Sequence, residues 1–478
     1  MSIADLRKKL DGKELSAVEL TRSYLDRIAA ADKFTDAYLY VDFEGALKNA
    51  AAAQKLIDAG KSRPLTGIPV ALKDNLSTFD MPTTCASKML EDYIPPFDAS
   101  AVAALRREGA VFLGKLNLDE FAMGASTKTS YYKKTKNPYD LTRVPGGSSG
   151  GSASAVAAGL CAAALGTDTG GSIRQPAAFC GVTGHRPTYG LVSRYGCIAF
   201  ASSLDQIGPI AENAEDCAVV LEAISGRDEM DQTSENRPFK AADIQNRSRK
   251  GKRFGIIKEL IGEGADKETA DAVKSAAAFF EREGAAVEEV SLPMLTHAVP
   301  IYYLISSAEA SSNLAKFDGV RYGYRPDAAA NFYDMIAKSR AEGFGWEVKR
   351  RIMLGSYALC SGYYDDYYKR AVRLSGIIKA QYNTAFKTFD ALISPTAPAA
   401  AYPFDKLPDD PAQMYLADIC TVSAPLAGLP SISTPCGYDK DGMPIGLMLT
   451  GKRFDDAEII AAAAAWEKGF KRRLPNFF

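Results

Sequence analysis

Residues 145–181 read PGGSSGGSASAVAAGLCAAALGTDTGGSIRQPAAFCG, and how that run is taken decides the fold. Ala153–Ala158 has the small apolar make-up of a buried helix, and Gly159 is placed to end it. Cys161–Leu165 then reads as a small-residue strand running into Gly166-Thr167-Asp168-Thr169-Gly170-Gly171-Ser172. Two glycine–serine loops thus flank one compact helix–strand unit. Residues 144–190 hold eleven of the 39 glycines, a density that lets backbones approach closely. A flexible linker uses the same residue types. Linkers separate domains, however, whereas these loops sit among small, buriable side chains.

Outward from this unit the strand and helix signals alternate. Gly67–Lys73 is a short apolar run bounded by turn residues, with Lys73 at its carboxyl end. A helix over Ser100–Glu108 leads through Gly109 to a strand over Ala110–Gly114. Lys252–Lys258 and Ala286–Leu292 read as strands around a helix over Lys267–Glu283. Ala391–Ser394, Leu429–Pro435 and Pro444–Thr450 are further strand candidates. Near the start, Ser16 and Glu19 form a capping box ahead of Leu20, Tyr24 and Ile28 at helical spacing. The order of elements predicts an α/β fold. The polar span Gly226–Lys252 is the expected surface connection.

Composition narrows the chemistry. Across 478 residues, 57 Lys+Arg against 58 Asp+Glu leave no global field to attract nucleic acid or an anionic membrane. Only two histidines, His185 and His297, are present, so a three-histidine zinc site and an H-E-x-x-H pair are both excluded. Eight cysteines without a C-x-x-C pair suggest reduced, mostly buried thiols and a cytoplasmic protein. The first residues lack the apolar core of a signal peptide, and no run of eighteen apolar residues predicts a membrane span.

Three chemistries compete for the glycine–serine loops. A phosphate cradle requires glycine where Lys55 precedes Gly60-Lys61-Ser62, and neither main loop carries the lysine. An α/β-hydrolase would take Ser149 from G-x-S-x-G, but no histidine follows His297. Ser130–Lys133 matches S-x-x-K without its accompanying motifs. Serine chemistry without histidine remains. A lysine can be the base if burial leaves it neutral, and Lys73 ends a buriable strand. Gly170-Gly171-Ser172 can bring backbone N–H groups close to a developing oxyanion.

These residues resemble the amidase signature family. The likeness is carried by VALKDN (Val70–Asn75), PGGSSGGSASAVAAG (Pro145–Gly159), GTDTGGSIRQPAAFCG (Gly166–Gly181), GLVSRYG (Gly190–Gly196) and LDQIGPIAENAEDCA (Leu204–Ala218). The resemblance implies one large domain over 1–478 with a central mixed sheet covered by helices on both faces. Its catalytic core would span about 60–220 and its substrate-recognition and helical part about 290–430. It implies a Ser–cis-Ser–Lys triad of Ser172 as nucleophile, Ser148 as bridging serine and Lys73 as base. Thr169, Gly170, Gly171 and Ser172 would form the oxyanion hole, with Asp168 and Ser149 as supports. No metal is implied.

Within the family, the chain is similar nearly end to end to the glutaminase subunits of tRNA-dependent amidotransferases. DEFAMGAST (Asp119–Thr127), Tyr302–Arg325, Glu347–Ala371 and Met414–Ser433 carry that likeness. It implies glutamine as substrate and no cofactor in this chain, with ATP and Mg on a partner. It also implies two partners, the B and C subunits of the amidotransferase. The B subunit receives ammonia through a tunnel and handles most of the misacylated tRNA, Glu-tRNA(Gln) or Asp-tRNA(Asn), and the small C subunit holds the pair together. Glutamine's α-carboxylate wants an arginine fork and its α-ammonium a carboxylate. The resemblance puts these on Arg351 and Asp418, with Tyr302 or Tyr303 nearby. A stand-alone amidase acting on small amides is the alternative. His185-Arg186 stands where the family usually has Leu-Lys, and Tyr139 where tryptophan is common. His185 is expected to be packed or surface-facing rather than catalytic. The run Tyr363, Tyr364, Tyr367, Tyr368 is expected as a packed helix face, with partner surface as the other reading.

Overall fold

The structure is a computed structural model and describes residues 1–245, 247–262, 264–406 and 417–475. Among the described residues eleven strands form one mixed sheet: β1 (Tyr38–Val41), β2 (Pro69–Lys73), β3 (Val111–Leu116), β4 (Ala163–Asp168), β5 (Thr183–Arg186), β6 (Gln206–Ala211), β7 (Arg253–Ile257), β8 (Ala286–Val290), β9 (Ala391–Pro395), β10 (Ser431–Tyr438) and β11 (Pro444–Gly451). Their spatial order is β1-β3-β2-β4-β6-β5-β10-β11-β9-β7-β8. The strands β2, β3 and β4 are buried along their whole length, as near-continuous apolar runs in a parallel region should be.

The sheet places the chemistry through its register. Parallel pairing of β2 with β4 sets Leu72 opposite Leu165, so Lys73 and Asp168 emerge at the same, carboxyl end of the sheet. Ligand sites of open α/β sheets form there. Antiparallel β6 pairs Gln206 with Asp168 and so brings Asp205 to the rim of the same loop. β10 beside β5 joins the C-terminal third of the chain to this half.

Helices flank the sheet and divide the apolar packing in two. One cluster gathers the helices Ala17–Thr35, Phe43–Asp58, Ser100–Arg107, Ala214–Ile224, Lys267–Arg282 and Asp456–Gly469. In Lys267–Arg282 the buried positions Ala270, Val273, Ala277 and Phe280 recur at helical spacing. The second cluster holds Ala298–Asn313, Trp346–Leu359 and Arg370–Ala385 against Leu392 and Leu426. The capping box stands as expected: Ser16 Oγ accepts the Glu19 N–H, and Glu19 accepts the Ser16 N–H. No helix among the described residues is long and apolar enough to cross a membrane.

Two features differ from expectation. β1, β5 and β6 are strands that local pattern did not announce, because they are short or interrupted by Gly184, Gly208 and Pro209. The tyrosine run is not a packed face. Tyr363, Tyr364 and Tyr367 are exposed in and beside a π-helical turn over Asp365–Lys369, where they pack on one another and on Tyr357 and Tyr368. His185 is fully buried on β5, with Nε2 3.0 Å from Asp456 Oδ1, so it is a packed residue.

Candidate active site

Lys73 is wholly buried, and its Nζ lies 2.7 Å from Ser148 Oγ, 2.9 Å from Ser149 Oγ and 2.9 Å from Thr167 Oγ1. Among the described residues no carboxylate is in contact with the amine, so burial dominates and lowers its pKa to about 8. The hydrogen bonds give the amine a direction. Ser149 Oγ donates to the Thr167 carbonyl at 3.1 Å, and Asn75 Nδ2 donates to Thr167 Oγ1 at 3.0 Å. A neutral amine can therefore donate to Ser149 and Thr167 while its lone pair takes the Ser148 proton. The Gly147–Ser148 peptide is cis. Thr167 and Asn75 escaped sequence reasoning. Asn75 lay inside a quoted motif, but nothing in the spacing set Thr167 apart from Thr169.

The second glycine–serine loop carries Ser172, 8% exposed, just ahead of the short helix Arg174–Phe179. Its main chain meets the first loop, the Ser149 N–H donating to the Ser172 carbonyl at 3.1 Å. Among the described residues the Ser172 hydroxyl makes no hydrogen bond to Ser148, so the two loops touch through backbone. Asp168 braces the turn from within, accepting from Ile173 N at 3.1 Å and from Arg174 Nε and Nη2 at 3.0 Å. Arg186 reaches the Asp168 carbonyl and carboxylate from β5. Burial alone would raise Asp168, but Arg174 and Arg186 outweigh it and hold the carboxyl at about 2. Thr169 is tied down by its hydroxyl, which donates to Asp205 Oδ1 at 2.6 Å. Arg186 and Asp205 are the supports that sequence reasoning missed, since their partners are set by strand pairing.

The two glycines are required by what lies against them. A Cβ on Gly170 would fall 2.5 Å from the Tyr302 ring, and one on Gly171 would fall 2.3 Å from Thr421 Oγ1. Gly171 also has a φ of +147°, which side-chain-bearing residues rarely adopt. Among the described residues no internal acceptor takes the N–H groups of Gly170, Gly171 or Ser172.

Across this loop stands a charged pair. Arg351, 3% exposed on Trp346–Leu359, donates through Nε to Glu347 Oε1 at 2.7 Å and lies over the rings of Tyr303 and Phe200 at 5.2 and 5.3 Å. Tyr303 donates its hydroxyl to Asp418 Oδ2 at 2.6 Å. Burial pushes Asp418 up to about 6, against the Tyr303 hydrogen bond and the nearby Arg351 charge. Thr421 closes the circuit: its N–H and hydroxyl donate to the Asp418 carbonyl at 3.0 and 3.1 Å, while its side chain lies on Gly171. Contacts thus tie Lys73 to Ser148 and Asp418, through Thr421, to the Gly171 loop, and the two tyrosines take different partners. Tyr303 meets Asp418, and Tyr302 meets Gly170. Among the described residues no group of three or more His, Cys, Asp or Glu is arranged to hold a metal ion.

An amine poised to accept a proton, two serine loops, a patch of N–H groups without internal acceptors and a cation–carboxylate pair can together perform acyl transfer on an amide with a zwitterionic head group. Comparison with known proteins agrees. The Amidase family profile matches residues 19–460. The Glutamyl-tRNA(Gln) amidotransferase A subunit of Ruminiclostridium cellulolyticum is 55% identical over 480 aligned residues, covering 99% of either chain. A crystal structure of the Glutamyl-tRNA(Gln) amidotransferase A subunit from Thermotoga maritima superposes with a TM-score of 0.83 at 40% identity, covering 100% of this chain and 98% of that one. The native peptide amidase from Stenotrophomonas maltophilia superposes with a TM-score of 0.85 at 32% identity, covering 100% and 98%.

Proposed function

The chain belongs to the amidase family, and from that premise we propose that it is the glutamine-hydrolysing subunit of a tRNA-dependent amidotransferase. Catalysis is assigned to roughly residues 60–220 and glutamine recognition to roughly 290–430. Arg351 takes the substrate α-carboxylate, Asp418 the α-ammonium, and Tyr303 fixes the Asp418 oxygen through their 2.6 Å hydrogen bond. Tyr302 shapes the wall against Gly170.

Neutral Lys73 accepts the Ser148 proton, and Ser148 accepts the Ser172 proton as the Ser172 oxygen bonds to the carboxamide carbon. Charge gathers on the carbonyl oxygen opposite the N–H groups of Thr169, Gly170, Gly171 and Ser172, such donors contributing about 3–4 kcal/mol each. The C–N bond then breaks, and the proton returns through Ser148 to the departing nitrogen, which leaves as ammonia. Water repeats the sequence on the acyl-enzyme and releases glutamate. Ser149 keeps the amine aimed, and Asp168 holds the nucleophile turn in register.

The ammonia is passed to a partner, the B subunit, which uses ATP and Mg to convert Glu-tRNA(Gln) or Asp-tRNA(Asn), while a small C subunit holds the assembly together in the cytoplasm. The observation that supports the reading is the contact chain from Asp418 through Thr421 to Gly171, which links the proposed ammonium ligand to the proposed oxyanion loop. A stand-alone amidase for neutral amides, the second reading, needs no such pair. Ser172→Ala decides the first point: ammonia release from glutamine falls at least about a thousandfold with unchanged thermal melting, and retained turnover removes the assignment.

A further inference from the structure

We propose that Glu120 is a positioning residue that couples the catalytic serine loop to the helix bearing Arg351. The proposal rests on Arg351 being the ligand of the glutamine carboxylate. Asp119 and Glu120 are consecutive residues just beyond β3, and they face opposite halves of the site. Asp119 holds the catalytic half. Its N–H donates to the Ser148 carbonyl at 3.2 Å, and its carboxylate accepts from Ser126 N at 3.1 Å and Thr129 Oγ1 at 2.9 Å. A Cβ on Gly147 would lie 2.0 Å from Asp119 Oδ2, so this carboxylate rests directly on the residue before Ser148.

Glu120 holds the recognition half. It is 2% exposed, and its carboxylate accepts the Gly345 N–H at 2.9 and 3.1 Å and the Ser87 hydroxyl at 2.5 Å. The same Ser87 hydroxyl lies 3.2 Å from the Gly343 carbonyl. Gly345 is the N-cap of Trp346–Leu359, and that helix has no side-chain cap of its own. A carboxylate delivered from the turn after β3 therefore does the capping, where the partial positive charge of the helix end favours it. A side chain at 345 would have to push the Glu120 carboxylate aside, since its Cβ would fall 2.3 Å from Glu120 Oε2. Arg351 lies less than two turns along the same helix. Any shift of the helix entry relative to Glu120 is carried to Arg351, while Asp119 keeps Ser148 where it was. A cap that served the fold alone would lower melting temperature without discriminating between substrates.

The test is steady-state kinetics on the full chain assembled with its co-expressed partner subunits. Glu120→Ala is expected to raise KM for glutamine about tenfold with kcat changed less than about threefold. Butyramide, which lacks the α-carboxylate and α-ammonium, should lose several-fold less in kcat/KM. Glu120→Gln and Ser87→Ala are expected to raise the glutamine KM by about two- to fivefold, and they decide the matter if Glu120→Ala does not fold. An unchanged KM in the folded variants, or equal losses on both amides, overturns the coupling. Arg351→Ala is the control. If it raises the glutamine KM and no Glu120 or Ser87 variant does, the coupling alone falls; if it leaves KM unchanged, the substrate reading falls and takes the coupling with it.

Discussion

Lys73 owes its chemistry to the company it keeps. Three hydroxyl oxygens surround the amine and no described carboxylate touches it, so burial loosens its hold on the proton instead of being offset by a counter-charge. Lys115, equally buried one strand over, has the opposite solution: its Nζ lies 2.9 Å from Asp74 Oδ1, and four further oxygens lie within 3.1 Å. That contrast separates the proposed base from a structural ion pair in two lysines that look alike in sequence. With its pKa lowered to about 8, Lys73 is a competent base only in its deprotonated fraction. Glutaminase kcat/KM should fall about tenfold per pH unit as pH drops below that value, and level off above it. A flat pH profile down to pH 6 would refute the lysine base. Lys73 could be read from sequence because it ends an apolar run. Its partner Thr167 could not, because one threonine in Thr167-Asp168-Thr169 looks like another until strand pairing selects it.

Elements decide how the reacting atoms are held. The proposed nucleophile turn has no regular structure of its own between β4 and Arg174–Phe179, so side chains define it: Asp168 from inside, Asp205 at Thr169, Tyr302 against Gly170 and Thr421 against Gly171. Gly171→Ala tests this arrangement. The new Cβ must displace Thr421 or turn the backbone out of its positive φ, and either movement disturbs the oxyanion donors and the Asp418 anchor together. A drop in kcat of about ten- to a hundredfold is expected, with a smaller change in melting temperature. Unaltered kcat would show that the loop is not under that constraint. Elements with a strong apolar period were legible, and β2, β3, β7, β9 and β11 fall within about two residues of their expected bounds. β5 was not, because Thr183-Gly184-His185-Arg186 has a polar, helix- or loop-like reading. It is a strand because β6 and β10 pair with it on either side, and because Arg186 and His185 find Asp168 and Asp456 as buried partners.

At the scale of the whole molecule, a near-zero charge balance gives this chain no global field for nucleic acid, so under the proposed function the tRNA contacts fall to the partners. In a gel-shift titration at physiological salt the isolated chain should leave tRNA unshifted, whereas the chain co-purified with two further subunits should retain it and release ammonia faster when the tRNA is misacylated. Salt-sensitive tRNA binding by the isolated chain would overturn that division of labour. In the sequence the histidine count disfavours imidazole routes, and the resemblance of the two contiguous loops to the amidase signature family implies Ser148 and Ser172 as the hydroxyls. Local order suffices there, because each loop is built from neighbours in the chain. Only the tertiary structure decided that Tyr303 meets Asp418, that Thr421 rests on Gly171 and that Glu120 caps a helix more than two hundred positions away. Such meetings depend on which strands pair and which helix faces bury, and on the desolvation that follows. Neither spacing nor composition encodes those quantities one residue at a time.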